Sequence, residues 1–149
     1  MKTIAIFAVL IVLIGLLGTA DARTLKVADE VFITTIFPMV ITTYIGTITD
    51  IDDTMVSMDS VYSINIIGDM TNLDKCEITS DGKRNVSFAK SSIASIDWKD
   101  ELSDEFYATW DEMPDEYRNK LPANAKDITL EDIAFIYNEA FKEIKEKIK

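Results

Sequence analysis

The chain has 149 residues and a net charge of −11, from 15 basic and 26 acidic side chains. A surface this acidic argues against partners bound by neutralising phosphate, so neither nucleic acid nor an anionic membrane is expected. The absence of histidine removes Ser-His-Asp and Cys-His nucleophiles and makes zinc improbable, and a single cysteine, Cys76, rules out an internal disulfide. Cationic proteins, cationic surfaces and divalent ions stay compatible. Cys76 is then either a small buried hydrophobe or a thiol that pairs between chains.

Lys2 is the only charge before Asp21. Between them Ile4 to Gly18 is wholly apolar, and Thr19-Ala20-Asp21-Ala22 follows. A basic start, a short apolar run and small residues at Ala20 and Ala22 are the parts of a cleavable signal peptide. Cleavage is expected after Ala22, leaving Arg23 first. The apolar run is shorter than the roughly 20 residues a spanning helix needs. The expected location is therefore secreted, periplasmic or otherwise outside the cytoplasm. A retained N-terminal helix would instead make the chain a membrane-anchored envelope subunit.

Residues 31–49 carry no charge, and thirteen of the nineteen are Val, Ile or Thr. That β-branched bias predicts two strands, or one strand bent at Pro38, in preference to a membrane span. Thr54, Val56 and Met58 alternate with Met55, Ser57 and Asp59, and strand character continues through residues 61–67. Gly68 to Asn72 reads as a loop. Asp81-Gly82 between strand-like runs predicts a tight hairpin turn with Gly82 at positive φ. A last strand, Ile93 to Trp98, is expected to place Ala94, Ile96 and Trp98 on one face.

From Asp97 to Glu116 there are nine acidic groups and one base, Lys99. Ser103 is positioned to cap a helix carrying Leu102, Phe106, Trp110 and Met113 on one stripe. Pro114 suits the start of a further short helix. Thr129 and Asp132 have the spacing of a capping box. They open a helix whose apolar face is Leu130, Ile133, Ala134, Tyr137, Ala140, Phe141, Ile144 and Ile148.

The expected fold is α+β, a small antiparallel β-barrel-like unit followed by C-terminal helices, after an N-terminal signal peptide. The expected division is 1–22 signal peptide, 23–98 β-rich domain and 99–149 acidic helical segment packed on it. YIGTITDIDDTMVSM, followed by GKRNVSFAKSSIASID, resembles the strand order of small SH3-like and Sm-like barrels. The resemblance rests on the bent strand at Gly46, the acidic turn at Asp52-Asp53 and the last strand with Ile93 and Ile96. It covers about half the chain and implies a fold. Sm-like proteins commonly bind RNA, a property not carried over to an exported acidic chain.

Asp50-Ile51-Asp52-Asp53-Thr54 looks like the first motif of the haloacid dehalogenase superfamily. That resemblance implies a Mg²⁺-dependent phosphohydrolase with Asp50 as nucleophile and Asp52 as acid/base. Thr79 or Ser80, Lys83 or Lys90, and Asp97 with Asp100 would supply the later motifs. The spacing leaves no room for the crossover helices that a parallel sheet needs. Asp50, Asp52 and Asp53 are also the candidate ligands for a divalent cation. Trp98, Tyr107, Trp110 and Tyr117 interleave with acids, as in a sugar site or a cation-binding face, but Phe106 and Trp110 lie at helical spacing, which favours core packing. Asn85-Val86-Ser87 is a glycosylation acceptor sequence, with Asn85 as the modified residue. The composition favours a non-enzymatic domain that needs no cofactor and acts by contact with a protein or a cationic surface.

Overall fold

The computed structural model describes residues 23–69, 75–101 and 114–148. Ala20, Ala22 and the helix expected from Ser103 lie outside the described residues. Among those residues the chain divides into a β unit ending at Asp100 and a helical unit from Glu101. The architecture is a mostly antiparallel sheet with a few C-terminal helices, which is the α+β class.

The β unit holds six strands: β1 (Glu30–Phe37), β2 (Val40–Ile51), β3 (Met55–Ile67), β4 (Glu77–Asp81), β5 (Arg84–Ala89) and β6 (Ile93–Trp98). The order across the sheet is β4-β3-β2-β1-β6, with β5 also on β3, and every pairing is antiparallel. The β-branched run forms two strands. Pro38 and Met39 make the two-residue turn between them, Met39 at φ 65. Proline followed by a residue of positive φ is the pattern of a type II turn.

Asp81-Gly82 does not make the expected hairpin. β4 pairs with Ser63–Ile67 and β5 with Met55–Ser60, so the two run in line along the long strand β3. Gly82 and Lys83 interrupt that line instead of reversing it, and Gly82 has no positive φ. The break has a cause further across the sheet. β2 and β3 shift register between Ile45 and Gly46, opposite Tyr62 and Ser60. An extra residue on one strand bends and twists the pair locally, and β4–β5 must break where β3 bends.

The bend can form because residue 46 is glycine. A Cβ there would collide with the Asp59 carbonyl oxygen and lie 2.8 Å from Ser60 Cα. At the other edge, β1 and β6 shift register between Thr34 and Thr35, opposite Ala94. This puts Ile93 on the core side with Ile96 and Trp98 and leaves Ala94 exposed, correcting the expected face.

The sheet is not closed: among the described residues β6 and β4–β5 are its two edges. It is nonetheless strongly coiled. A flat sheet would put β5 and β6 four strand spacings apart, about 19 Å. Only Lys90–Ser92, a 3-10 turn, joins them, and the four steps from Ala89 to Ile93 reach about 14 Å at most. The Lys90 N–H also bonds the Thr54 carbonyl at 2.9 Å, tying this link to the β2–β3 turn. One sheet face buries Val31, Ile33, Ile48, Val56, Met58, Phe88 and Trp98 in a single cluster. On the other face Phe32, Ile45 and Tyr62 form a buried row.

The helical unit contains α1 (Asp115–Arg118) and α2 (Leu130–Ile148). The capping box forms reciprocally: the Asp132 carboxylate accepts from Thr129 N–H and Oγ1, each at 2.9 Å, and Asp132 N–H donates back to Thr129 Oγ1 at 3.2 Å. Leu130, Ile133, Ile136, Tyr137 and Phe141 are buried. Ile136 extends the stripe read from the sequence. The side chains of Ala140, Ile144 and Ile148 are outside those described.

Candidate functional site

Among the described residues, four of the five large apolar side chains left in solvent gather at one end of the β unit, Val27 being the exception. Ile36 is 49% exposed, Phe37 48%, Met39 62% and Ile67 38%. The ladder shows why they are neighbours. Phe37 pairs with Val40, which pairs with Ile67, so these share one face. Ile36, Ile41, Ile66 and Ile78 make the next row on the opposite face. The turn between them is held by Gly68 N–H on the Met39 carbonyl at 2.8 Å. No charge occurs from Val31 to Thr49, while exposed Asp69, Lys75 and Glu77 lie just beyond Gly68. An apolar patch with a polar rim is the usual form of an interaction surface.

Met39 is the most exposed of the group and also the most strained. Its left-handed backbone suits Gly or Asn, and for a long side chain it costs roughly 1 kcal/mol. Such outliers occur where function requires a particular side chain. Neither the exposure nor the strain could be read before the fold. Only the uncharged run and Pro38 hinted at this end of the sheet.

The acidic cluster lies at the opposite end of β2. Asp52 and Met55 close the β2–β3 turn, with Asp52 N–H donating to the Met55 carbonyl at 3.1 Å. Oδ1 of Asp52 accepts from Met55 N–H at 2.7 Å, Thr54 N–H at 2.8 Å and Thr54 Oγ1 at 3.3 Å. The Thr54 and Met55 amides hold its carboxyl below its ordinary value. This is the local bonding that makes aspartate a turn former. Asp50 and Asp53 are exposed, and Asp97 stands on β6 opposite Phe32. Among the described residues no three His, Cys, Asp or Glu side chains are grouped to hold a metal.

Because the Asp52 pKa is depressed, its stabilising bonds are fully present above the ordinary carboxyl value and are lost as pH falls through the folded value. Asp52→Ala is expected to lower the thermal midpoint at pH 7 and to lose that deficit in acid. Asp52→Asn should keep more of the midpoint, since its amide oxygen still accepts. Melting curves between pH 2 and 7 test this, and equal midpoints for the alanine variant and wild type at pH 7 would refute it.

Asp97 titrates with the opposite sign. Burial beside β1 pushes its carboxyl upward. Its ionised form therefore destabilises the fold. The benefit of the protonated form is complete below the ordinary value and fades as pH rises through the folded one. Asp97→Asn is expected to raise the thermal midpoint at pH 7 and flatten its decline between pH 4 and 7. An unchanged pH profile would show that Asp97 is solvated in the folded state.

A second polar cluster lies at the other end of β1. Arg23 forms a fork to Asp100, at 2.6 and 3.2 Å, and reaches Asp29 at 3.8 Å. Its guanidinium carbon stands 4.8 Å from the centroid of the Trp98 ring. The Trp98 indole N–H donates to Asp29 at 3.0 Å, as does the Lys26 N–H at 2.9 Å. Partial burial raises the Asp29 pKa, but the Trp98 and Lys26 bonds and the Arg23 charge outweigh it and hold the carboxyl low. Trp98 was the one aromatic of its group read from the sequence as a β-strand residue, and its partner Arg23 is 75 positions away.

Asn85 is exposed on β5, and Ser87 shares a hydroxyl hydrogen bond of 2.7 Å with Ser57. Cys76 is half-buried, with its thiol donating to the Asp69 carbonyl at 3.3 Å. No described helix is long and apolar enough to cross a membrane, which leaves open a crossing by strands. No protein-family model matches this chain, and no curated protein matches it.

Proposed function

We propose that this chain is an exported, non-enzymatic binding domain that acts through protein contact at the β1–β2 turn. The observation that carries the reading is Met39: the most exposed large apolar side chain among the described residues sits on left-handed backbone where glycine would be less strained. Ile36, Phe37 and Ile67 surround it with further exposed apolar area. An unpartnered patch of this kind costs solubility, and a docking partner explains its retention. The bonds of Asp52 within its own turn leave the phosphohydrolase reading without an observation in its favour.

Export rests on the small residues Ala20 and Ala22 after an apolar run. The barrel-like, SH3-like reading of the β unit is supported by the bend at Gly46, the 3-10 turn before β6 and the pairing of β6 with β1. Asn85 would carry glycan in a host that glycosylates exported proteins. The functional test is site-specific photocrosslinking in the exported fraction. A crosslinker at Met39 is expected to capture one discrete protein, and the same group at exposed Lys83 is expected to capture none. Equal labelling from both positions, or none from Met39, would refute the proposal.

A further inference from the structure

We propose that the cluster of Trp98, Asp29 and Asp100 is the seat of the mature N-terminal residue, Arg23, and shields it from aminopeptidases. The inference rests on the export reading above. It adds what happens to the new chain end.

A signal peptidase adds water across the Ala22–Arg23 peptide bond, leaving a carboxylate on Ala22 and an ammonium on Arg23. The residue exposed by that cut is the one whose guanidinium lies over Trp98 and forks to Asp100. Asp29 is shared between Arg23 and the Trp98 indole, so one carboxylate fixes both the cation and the ring beneath it. The following residues are fastened too. Leu25 packs on the core cluster, Lys26 N–H is held by Asp29, and Ala28 N–H donates to the Ile48 carbonyl at 2.8 Å. The segment is thus held at Arg23, Leu25, Lys26 and Ala28, while Val27 stays in solvent.

An aminopeptidase must take the first side chain into its own pocket and extend the residues behind it. Arg23 in its seat offers neither, so trimming requires the seat to open. A planar cation that both stacks and forks fits this site in a way that lysine does not. The seat also orders events: the peptidase needs the segment extended, so cleavage comes before Arg23 docks.

The protein isolated from the exported fraction is first weighed intact, with the mass of residues 23–149 expected. It is then incubated with a broad-specificity aminopeptidase and sampled by mass over time. Residue 23 is expected to be released about two- to five-fold faster from Asp100→Asn and from Arg23→Lys than from wild type, given the usual strength of one exposed ion pair or cation–π contact. Thermal melts of each variant separate local opening from global unfolding. Release at one rate from wild type and both variants overturns the seat alone. A mass that retains residues 1–22 overturns the export reading and the seat together.

Discussion

Gly46→Ala is expected to unfold or severely destabilise the β unit, with a loss of about 3 kcal/mol or more. The methyl would meet main-chain atoms, the Asp59 carbonyl oxygen and Ser60 Cα. A flexible side chain could turn aside, but a paired strand cannot move without breaking its ladder. The site is also where β2 and β3 shift register and the sheet bends. For a domain of this size the thermal midpoint should fall by about 10–20 °C. Gly82→Ala is the control. A Cβ there meets nothing within 4 Å, so stability should change by less than about 1 kcal/mol, with a small gain from the stiffer unfolded chain. Equal stability of the two variants in urea titration would mean that β2 and β3 do not approach this closely at the bend.

The second large effect is expected at the β1–β2 turn, where stability and binding should move in opposite directions. Met39→Gly removes the strain of a long side chain at φ 65 and should stabilise the fold by about 0.5–1 kcal/mol. It also removes the most exposed large apolar side chain among the described residues. With Phe37→Ser added, partner affinity should fall tenfold or more, the loss typical of truncating a central apolar anchor. The partner is the protein crosslinked from Met39, and its affinity is measured by titration against wild type and variant. A structural role for Met39 predicts the reverse pairing, in which Met39→Gly loses stability and leaves binding unchanged. The outcome therefore separates a binding residue from a packing residue in one variant.

The two ends of β1 have different duties. The Trp98 end holds Arg23, and the Phe37 end presents the apolar turn. Seven residue steps of strand separate Glu30 from Phe37, about 23 Å. A chain entering at Arg23 thus reaches its apolar turn only at the far end of the unit. Protein contact at Met39 is thus compatible with either fate of the N-terminal segment.

Local patterns were the most legible part of the fold. β-branched density placed β1 and β2, alternation placed Val56 and Met58 in the core, and the Thr129–Asp132 spacing located the start of α2. Where the reading went astray, the missing information was non-local. Asp81-Gly82 has the composition of a hairpin turn, yet β3 is long enough to pair with both β4 and β5, and the bend at Gly46 decides that they run in line. Ala94 has the parity of a core residue, and a register shift opposite Thr34 and Thr35 turns it outward. By contrast, the acidic turn at Asp52-Asp53 was legible locally, and it joins β2 and β3 with the carboxylate of Asp52 bonded within it.

The candidate site was legible only as raw material. The sequence by itself determined an acidic chain without histidine, an uncharged β-branched stretch interrupted by Pro38, and an apolar run from Ile4 to Gly18 followed by Ala20 and Ala22. Each is a property of neighbouring residues, and composition or short-range sterics suffices to read it. The tertiary structure alone decided which apolar residues remain in solvent, because exposure of Phe37, Met39 and Ile67 depends on strand pairing between distant segments. It alone joined Arg23 to Trp98 and Asp100, since that contact requires the β1–β6 ladder to close over 75 residues of chain.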